Sequence, residues 1–274
     1  MKEKFKFSYL YLILIFVILY IPIAYLIFYS FNAGGNMSQF TGFTWEHYQT
    51  LFADTRLLVY ILNTFIVAIL SALLATMIGT AGAIAIYYTR HKKIRAALLN
   101  LNNVLMVTPD VMIGASFLIL FTSLIPIKMG FWTVLIAHVA FSVPIVVLMV
   151  LPRMYELNLN MVTAAQDLGA NYWQILTRVL LPNLTPGIIA GFFMAFTYSL
   201  DDFAVTFFLT GNGFSTVSVE VYSRARTGIS LEINALSALM FIVALLLVSG
   251  YYYLQVSEQR SSYRQLKRKG AARS

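Results

Sequence analysis

Hydrophobic positions along the chain are gathered into long uninterrupted runs. Crossing a bilayer as a helix takes about 20 mostly apolar residues, and six runs reach that length. They cover residues 8–31, 57–89, 99–124, 130–151, 184–210 and 234–256. Transmembrane strands would instead alternate in segments of about 10 residues, and these runs do not alternate. The pattern therefore predicts an all-α integral membrane protein with six transmembrane helices.

Composition supports the same class of protein. Of the 274 residues, 59% are hydrophobic and only 11% are charged, whereas soluble domains carry about 25% charged residues. So few charges cannot cover a water-soluble surface. The sequence contains no cysteine, which excludes disulfides and thiolate metal sites within it.

The first run follows a basic start, "MKEKFK", as a signal peptide would. Its apolar core at residues 9–31 is longer than the roughly 7–15 residues of a signal h-region. We therefore interpret it as a retained helix. Residues 1–56 would form this helix and an outer loop, and residues 57–256 a five-helix core. Residues 257–274 would form a basic cytoplasmic tail attracted to anionic lipid.

The net charge of +8 gives the orientation in the membrane, because short cytoplasmic loops are rich in lysine and arginine. With the N-terminus inside, four of the 19 basic residues fall in outer segments and the others in inner ones. The four are Arg56, Lys128, Arg224 and Arg226. Both termini are thus predicted to be cytoplasmic. The basic charge is a topology signal, so it does not indicate a nucleic-acid partner.

The longest inner segment, residues 152–183, contains the polar stretch "TAAQDLGANYWQILTRVLLPNLTPGI". Thr163 and Gln166 have the spacing of a capping box, and Asn171 with Gln174 loosely repeats it. Gly169 would separate two short helices, at about 164–168 and 172–180, because glycine tolerates positive φ.

Prolines at 182 and 186 are expected to limit continuation of the second short helix. On residue chemistry alone, two interpretations of the segment remain open. It is either an amphipathic helix lying on the membrane surface or a docking element for a soluble partner. In the second case Ala164, Ala165 and Gly169 would allow close approach.

The stretch "AAQDLGANYWQILTRVLLP" resembles the cytoplasmic loop of ABC-importer permeases. The pattern of that loop is E-A-A-x-x-x-G followed, about nine residues further on, by an aliphatic residue, one more residue and L-P. Thr163 stands where that pattern has glutamate. The resemblance implies coupling helices that dock on an ATP-hydrolysing subunit, present in two copies. The docking residues would be Thr163, Ala164, Ala165, Asp167, Gly169, Leu181 and Pro182.

The sequence contains no G-x-x-x-x-G-K-[ST] phosphate loop. We therefore expect no cofactor in this chain, no enzymatic activity of its own, and ATP with Mg²⁺ in the partner ATPase.

Three aspartates fall within predicted spans, Asp110 in the third and Asp201 with Asp202 in the fifth. An ionisable residue at the centre of a span costs about 2.5–3.5 kcal/mol on insertion scales. Interhelical hydrogen bonding is one explanation. No basic residue lies within a span to pair with the three acids, which favours a path for cations.

On a continuous fifth helix, Asp202 would share a row with Tyr198 and Thr206. Asp202 is therefore expected to face the path and Asp201 to support it. Asp110 follows Pro109, so a break in the third helix would expose it. His138 is interpreted as a packing residue rather than a proton relay, and the three histidines are too dispersed for one metal site.

The stretches "TPDVMIGASFLILF" (108–121), "FTYSLDDFAVTFFLTG" (196–211) and "VYSRARTGISLEINALSALM" (221–240) resemble the spermidine/putrescine branch of the ABC-importer permeases. The resemblance implies alternating-access import of polyamines across a bacterial cytoplasmic membrane. The partners would be a sister permease and an extracytoplasmic binding protein. The substrate path would include Asp110, Tyr198, Ser199, Asp201, Asp202 and Thr206.

Two alternatives remain at this point. The chain would be an ABC permease for another cationic solute, or a stand-alone cation-coupled secondary transporter using the same aspartates with His138. The outer loop at residues 210–228 is the better candidate for binding-protein contact. The aromatic outer stretch at residues 42–52 fits a membrane-interface belt, at least for Trp45.

Overall fold

The computed structural model describes residues 2–35, 37–227, 231–246 and 248–249, with side chains from residue 9 onward except that of Thr227. Regular structure in these residues is helical, apart from one isolated bridge between Asn32 and Phe43. The helices are α1 Lys2–Tyr29, α2 Glu46–Ala53, α3 Thr55–Tyr88, α4 Lys92–Val107, α5 Asp110–Ile119, α6 Phe131–Glu156, α7 Leu159–Asp167, α8 Tyr172–Ile175, α9 Leu181–Asp201, α10 Ala204–Leu209, α11 Val217–Thr227 and α12 Leu231–Leu246.

Four helical segments are long and apolar enough to cross a membrane. They are Tyr9–Tyr29, Thr55–Tyr88, Phe131–Glu156 and Tyr172–Asp201. The pair α4 and α5 passes the same test jointly, and α12 is a shorter apolar helix. The all-α membrane fold is confirmed for the described residues. The count of six spans stays a prediction, and the predicted end of the last span and the basic tail lie outside those residues.

The third predicted span is not one straight helix. Its two halves, α4 and α5, meet at an angle of 104°. Thr108 has an extended ψ of 130° and Pro109 caps the start of α5. A residue before proline is pushed out of the helical region, and proline has no N–H to continue the ladder. The break expected at Pro109 is therefore confirmed, and Asp110 becomes the first residue of α5.

The fifth predicted span begins earlier and ends earlier than the predicted range of 184–210. Helix runs from Tyr172 to Asp201 through a π-helical turn at Leu176–Leu180, in which the Leu181 N–H donates to the Leu176 carbonyl. Pro182 lies in the first turn of α9, where a missing N–H is tolerated. The prediction that the prolines limit this helix is thus wrong.

The described residues form two compact units, one within 56–223 and the other within 1–55 and 224–249. In the first unit α6 packs against α9, and α3 contributes small residues to the same core. Ala68, Ala72 and Ala75 are fully buried there beside Val146 and Val150. Small side chains let helix backbones approach closely in a membrane protein, which holds the end of α9 in a defined position.

Two glycines on α3 give a matched pair of stability predictions. A Cβ on Gly79 would lie 2.6 Å from the Val146 Cβ and 3.0 Å from the Val143 carbonyl, whereas one on Gly82 would meet only a Val147 methyl at 3.6 Å. We expect Gly79→Ala to cost about 1–3 kcal/mol through overpacking and Gly82→Ala to be neutral or mildly stabilising. Thermal unfolding of the detergent-solubilised protein measures both, and equal midpoints would contradict the packing described.

The second unit contains a short ion-pair network. Arg224 donates from Nη2 to Asp54 Oδ2 at 3.1 Å and from Nη1 to Glu232 Oε2 at 3.3 Å. Trp45 packs edge-on against Phe31 and Phe43, with its side chain half-exposed. Arg224, which sequence reasoning placed in a loop for binding-protein contact, is therefore engaged inside its own unit.

Candidate functional site

A cavity with an acidic, partly apolar lining lies where the end of α9 meets the start of α5. Its volume is about 410 Å³. Among the described residues that line it, three are aspartates and none is a lysine or arginine. The lining residues are Asp110, Ile145, Met194, Thr197, Tyr198, Asp201, Asp202, Phe203 and Ala204. The structure thus brings together the acidic residues of two predicted spans.

Asp110 is held in the cavity by one phenol. The Tyr198 hydroxyl donates to Asp110 Oδ1 at 2.7 Å. The ring of Tyr198 packs edge-to-face on Phe141, with centroids 4.9 Å apart. A bond of this length to a carboxylate is charge-assisted and directional, so Tyr198 fixes the orientation of the Asp110 carboxylate.

Asp201 is the exposed carboxylate of the adjacent pair. It is the last residue of α9, and the contacts of the described residues include no hydrogen-bond partner for its side chain. Asp201 and Asp110 are consequently the two carboxylates with free acceptor capacity in the cavity.

Asp202 is buried, with its side chain 6% exposed. Its carboxylate accepts from the N–H groups of Val205 at 3.2 Å and Thr206 at 2.8 Å, and from the Thr206 hydroxyl at 2.7 Å. It therefore covers the free N–H groups at the start of α10, as a capping residue does. The continuous fifth helix assumed in placing Asp202 is wrong, because the helix breaks between Asp201 and Ala204. Asp202 still lines the cavity, but its side chain is largely buried.

The imidazole of His138 lies behind Asp202 at the centre of a buried network. Its Nδ1 is 2.6 Å from Ser199 Oγ, and its Nε2 is 2.9 Å from Thr206 Oγ1 and 3.3 Å from Asp202 Oδ2. Ser71 of α3 donates to Ser199 at 2.9 Å. His138 is 1% exposed, in keeping with the packing role expected of it. Ser71 was missed, because one serine in an apolar helix carries no signal of its partner.

The cavity suits organic cations. Two partly free carboxylates supply negative charge, while the rings of Tyr198 and Phe203 offer faces for cation–π contact. Ile145 and Met194 supply apolar surface between the polar groups. That alternation of charge and hydrocarbon matches a flexible chain of methylenes that carries several ammonium groups.

The inner segment after α6 differs in one detail from the predicted capping pattern. Helix α7 begins at Leu159, and the Asn158 side chain accepts from the Asn160 N–H at 3.0 Å. Thr163 therefore lies inside α7, where its hydroxyl points back to the Leu159 carbonyl at 3.4 Å. The prediction that Thr163 caps the helix is wrong, because Asn158 already caps the start of α7.

The turn at Gly169 and the Asn171–Gln174 pair are as predicted, whereas the second short helix continues beyond 180 to Asp201. Gly169 has φ +80° and follows the end of α7. Asn171 and Gln174 form a complete capping box, since the Asn171 N–H donates to Gln174 Oε1 at 2.9 Å and the Gln174 N–H to Asn171 Oδ1 at 2.8 Å. The two helices of the segment are thus joined by a defined turn.

The predicted docking residues differ in exposure. Thr163, Ala164, Asp167, Gly169 and Pro182 are exposed, whereas Ala165 packs on the core and Leu181 is half-buried. The segment also presents three large apolar side chains that sequence reasoning did not assign to docking. These are Leu168, Tyr172 and Trp173, which are 89%, 88% and 69% exposed. Docking by this surface stays a prediction.

Comparisons with known proteins give consistent matches. The family described as binding-protein-dependent transport system inner membrane component matches residues 77–262. The spermidine/putrescine transport system permease protein PotC of Haemophilus influenzae is 35% identical over 230 residues, 84% of this chain and 89% of that protein. The putrescine transport system permease protein PotI of Escherichia coli is 31% identical over 257 residues, 91% of each.

A solved structure shares the fold. A chain of a bacterial alginate ABC transporter, in complex with an alginate pentasaccharide-bound periplasmic protein, aligns with a TM-score of 0.72. The alignment covers 91% of this chain and 93% of that one, at 18% identity. The similarity at this level of identity is one of architecture alone.

Proposed function

Because the chain belongs to the family of binding-protein-dependent transport system inner membrane components, we propose that it is the permease subunit of an ATP-driven importer of the polyamines spermidine and putrescine. The observation that carries this proposal is the cavity in which Asp110 and Asp201 present two available carboxylates without a basic neighbour. The polyamine systems of the relatives PotC and PotI support the same cargo.

The chemistry of the cavity fits transient binding of a polyamine. Each ammonium group of the cargo donates hydrogen bonds and accepts none, so carboxylates and a phenol are suitable partners. Transport requires each contact to be weak enough to release the cargo. Asp201, which is exposed and has no hydrogen-bond partner among the described contacts, is the first contact we propose for an ammonium group, with Asp110 as the second.

The free energy of ATP hydrolysis is transmitted to this chain through the segment that contains α7 and α8. We place its exposed surface, including Gly169 and Pro182, on an ATPase subunit that supplies ATP and Mg²⁺. Two ATPase copies, a sister permease and an extracytoplasmic binding protein complete the assembly. Closure of the ATPase pair pushes the α7–α8 segments and opens the path outward, which is alternating access.

The location that follows is a bacterial cytoplasmic membrane with both termini in the cytoplasm. The lysine and arginine distribution supports this orientation. The polar α7–α8 segment then lies on the cytoplasmic side, where ATP is available. The lipid bilayer surrounds the apolar helices. Helix α1, for example, has exposed leucine, isoleucine and valine side chains along its length.

Uptake of radiolabelled spermidine and putrescine into proteoliposomes tests the proposal. The purified chain is reconstituted alone, and then with its sister permease, ATPase and binding protein. We expect uptake only in the complete, ATP-supplied assembly. Gradient-driven uptake by the chain alone would contradict it and indicate a secondary transporter, while ATP-dependent coupling without polyamine uptake would indicate a different cargo.

A further inference from the structure

Three carboxylates adjoin the cavity, yet only two have free acceptor capacity. We infer that His138 determines the number of charges the cavity presents, and thereby its preference between diamines and triamines, by holding the Asp202 carboxylate out of the path. This inference rests on the proposed polyamine function. It assigns His138 a specificity-determining role that is distinct from contact with the cargo.

Both oxygens of the Asp202 carboxylate are restrained by neighbouring groups. Oδ2 receives the Thr206 N–H and hydroxyl and lies 3.3 Å from His138 Nε2, while Oδ1 receives the Val205 N–H. These donors satisfy most of the acceptor capacity of a carboxylate. Beside these donors from α10, the 3.3 Å approach of His138 Nε2 to Oδ2 is the one described side-chain contact with the carboxylate that comes from a different helix, α6.

The hydrogen-bond network fixes which nitrogen of His138 faces Asp202. The Thr206 hydroxyl gives its only proton to Asp202 Oδ2, so its oxygen accepts from His138 Nε2–H. In the neutral ring, Nδ1 then accepts from the Ser199 hydroxyl, which in turn accepts from Ser71. In the protonated ring both nitrogens donate. In either state Nε2 carries a proton directed at Thr206 and Asp202.

Charge matching follows from this arrangement. A diamine such as putrescine carries two ammonium groups and a triamine such as spermidine carries three, since simple amines stay protonated at neutral pH. With Asp202 held by His138, Asp110 and Asp201 provide one carboxylate for each ammonium group of a diamine. Loss of the imidazole leaves Asp202, which already lines the cavity, as a third partner that favours the triamine.

The experiment measures the KM values for putrescine and spermidine uptake by the complete assembly. The wild-type assembly is measured first and gives the reference ratio. His138→Leu removes the donor to Asp202 at similar volume. His138→Asn keeps an amide near Ser199, but its shorter side chain no longer reaches Asp202. This variant replaces the leucine variant in the experiment if the latter does not fold. For either variant we expect the ratio of the putrescine KM to the spermidine KM to rise about tenfold or more, the scale of one close charge pair.

Three further variants separate this effect from a general loss of structure. His138→Gln retains an N–H near the position of Nε2, so it should restore most of the wild-type ratio. Ser71→Ala removes the far end of the same buried network and should leave the ratio unchanged. Asp202→Asn combined with His138→Asn should cancel the rise, because no third carboxylate remains to be released.

The outcomes are distinguishable. An unchanged ratio in a folded, transporting His138→Asn assembly would overturn the inference, and so would a rise that persists when Asp202 is also asparagine. Absence of any polyamine uptake by the wild-type assembly would instead refute the proposed function, and the inference with it.

Discussion

Replacing Asp110 and Asp201 together with asparagine reduces polyamine uptake by the complete assembly about 100-fold. Each carboxylate faces a cavity without a basic partner, and loss of one close charge pair costs on the order of 1.5 kcal/mol or more, about tenfold. Asparagine keeps the size of the side chain and an oxygen that accepts from the Tyr198 hydroxyl. The measurement is the initial rate of spermidine uptake at a concentration below the wild-type KM.

A carboxylate away from the cavity provides the control. Glu156 forms an exposed pair with Arg153 at 2.8 Å, and exposed pairs contribute roughly 0–1 kcal/mol. Glu156→Gln should therefore leave uptake within about twofold of wild type. Wild-type uptake by the double aspartate variant would contradict the assignment of the cavity to the cargo.

The second large effect is expected at Gly169, between α7 and α8. Its φ of +80° and its open surroundings place an exposed turn at the surface proposed to contact the ATPase. Gly169→Leu adds a bulky side chain at a backbone conformation that costs about 1 kcal/mol for other residues. We expect an uptake loss of about tenfold or more, with normal membrane insertion, because the docking surface is obstructed.

Gly213 offers a matched comparison. It too has positive φ, +92°, and open space where a Cβ would stand, but it lies in the segment between α10 and α11. Gly213→Leu has the same backbone strain and should retain the ATPase subunit during co-purification, whereas Gly169→Leu should lose it. Equal retention of the ATPase by both variants would count against docking at the α7–α8 turn.

The sequence was sufficient to predict helices, membrane insertion and the local turns that carry their own chemistry. Pro109 alone determines the break before Asp110, and Gly169 marks its turn because positive φ favours glycine. Asn171 and Gln174 satisfy each other within four residues. In each case the cause and its effect lie close together along the chain.

The break after Asp201 could not be predicted in this way. No proline or glycine marks it, and Tyr198, Asp202 and Thr206 have helical spacing. The helix ends there because the Asp202 carboxylate satisfies the first N–H groups of α10 while its own carbonyl accepts from the Ser218 hydroxyl at 2.8 Å. A tertiary contact from α11 therefore overrides local periodicity. Asp201 is consequently exposed, and the side chain of Asp202, the residue expected to face the path, is largely buried.

The exposed apolar residues of the α7–α8 segment could not be predicted for a similar reason. Hydrophobic periodicity is consistent with the burial of Ile175 and Leu180. It does not distinguish an exposed aromatic residue that contacts a partner protein from one that contacts lipid. Trp173 and Tyr172 show this ambiguity, since both were interpreted within an amphipathic helix and both point outward. Their exposure follows from the turn at Gly169, which sets the direction of α8.

The most direct test of the central claim is the accessibility of one position in the cavity. The chain contains no cysteine, so Thr197→Cys, at an exposed position that lines the cavity, introduces a single thiol. The assembly would be built with cysteine-free partners and treated with cationic and neutral thiol reagents of equal size. We expect faster modification by the cationic reagent and protection by spermidine. Equal rates with both reagents, and no protection, would contradict a polyamine path through Asp110 and Asp201.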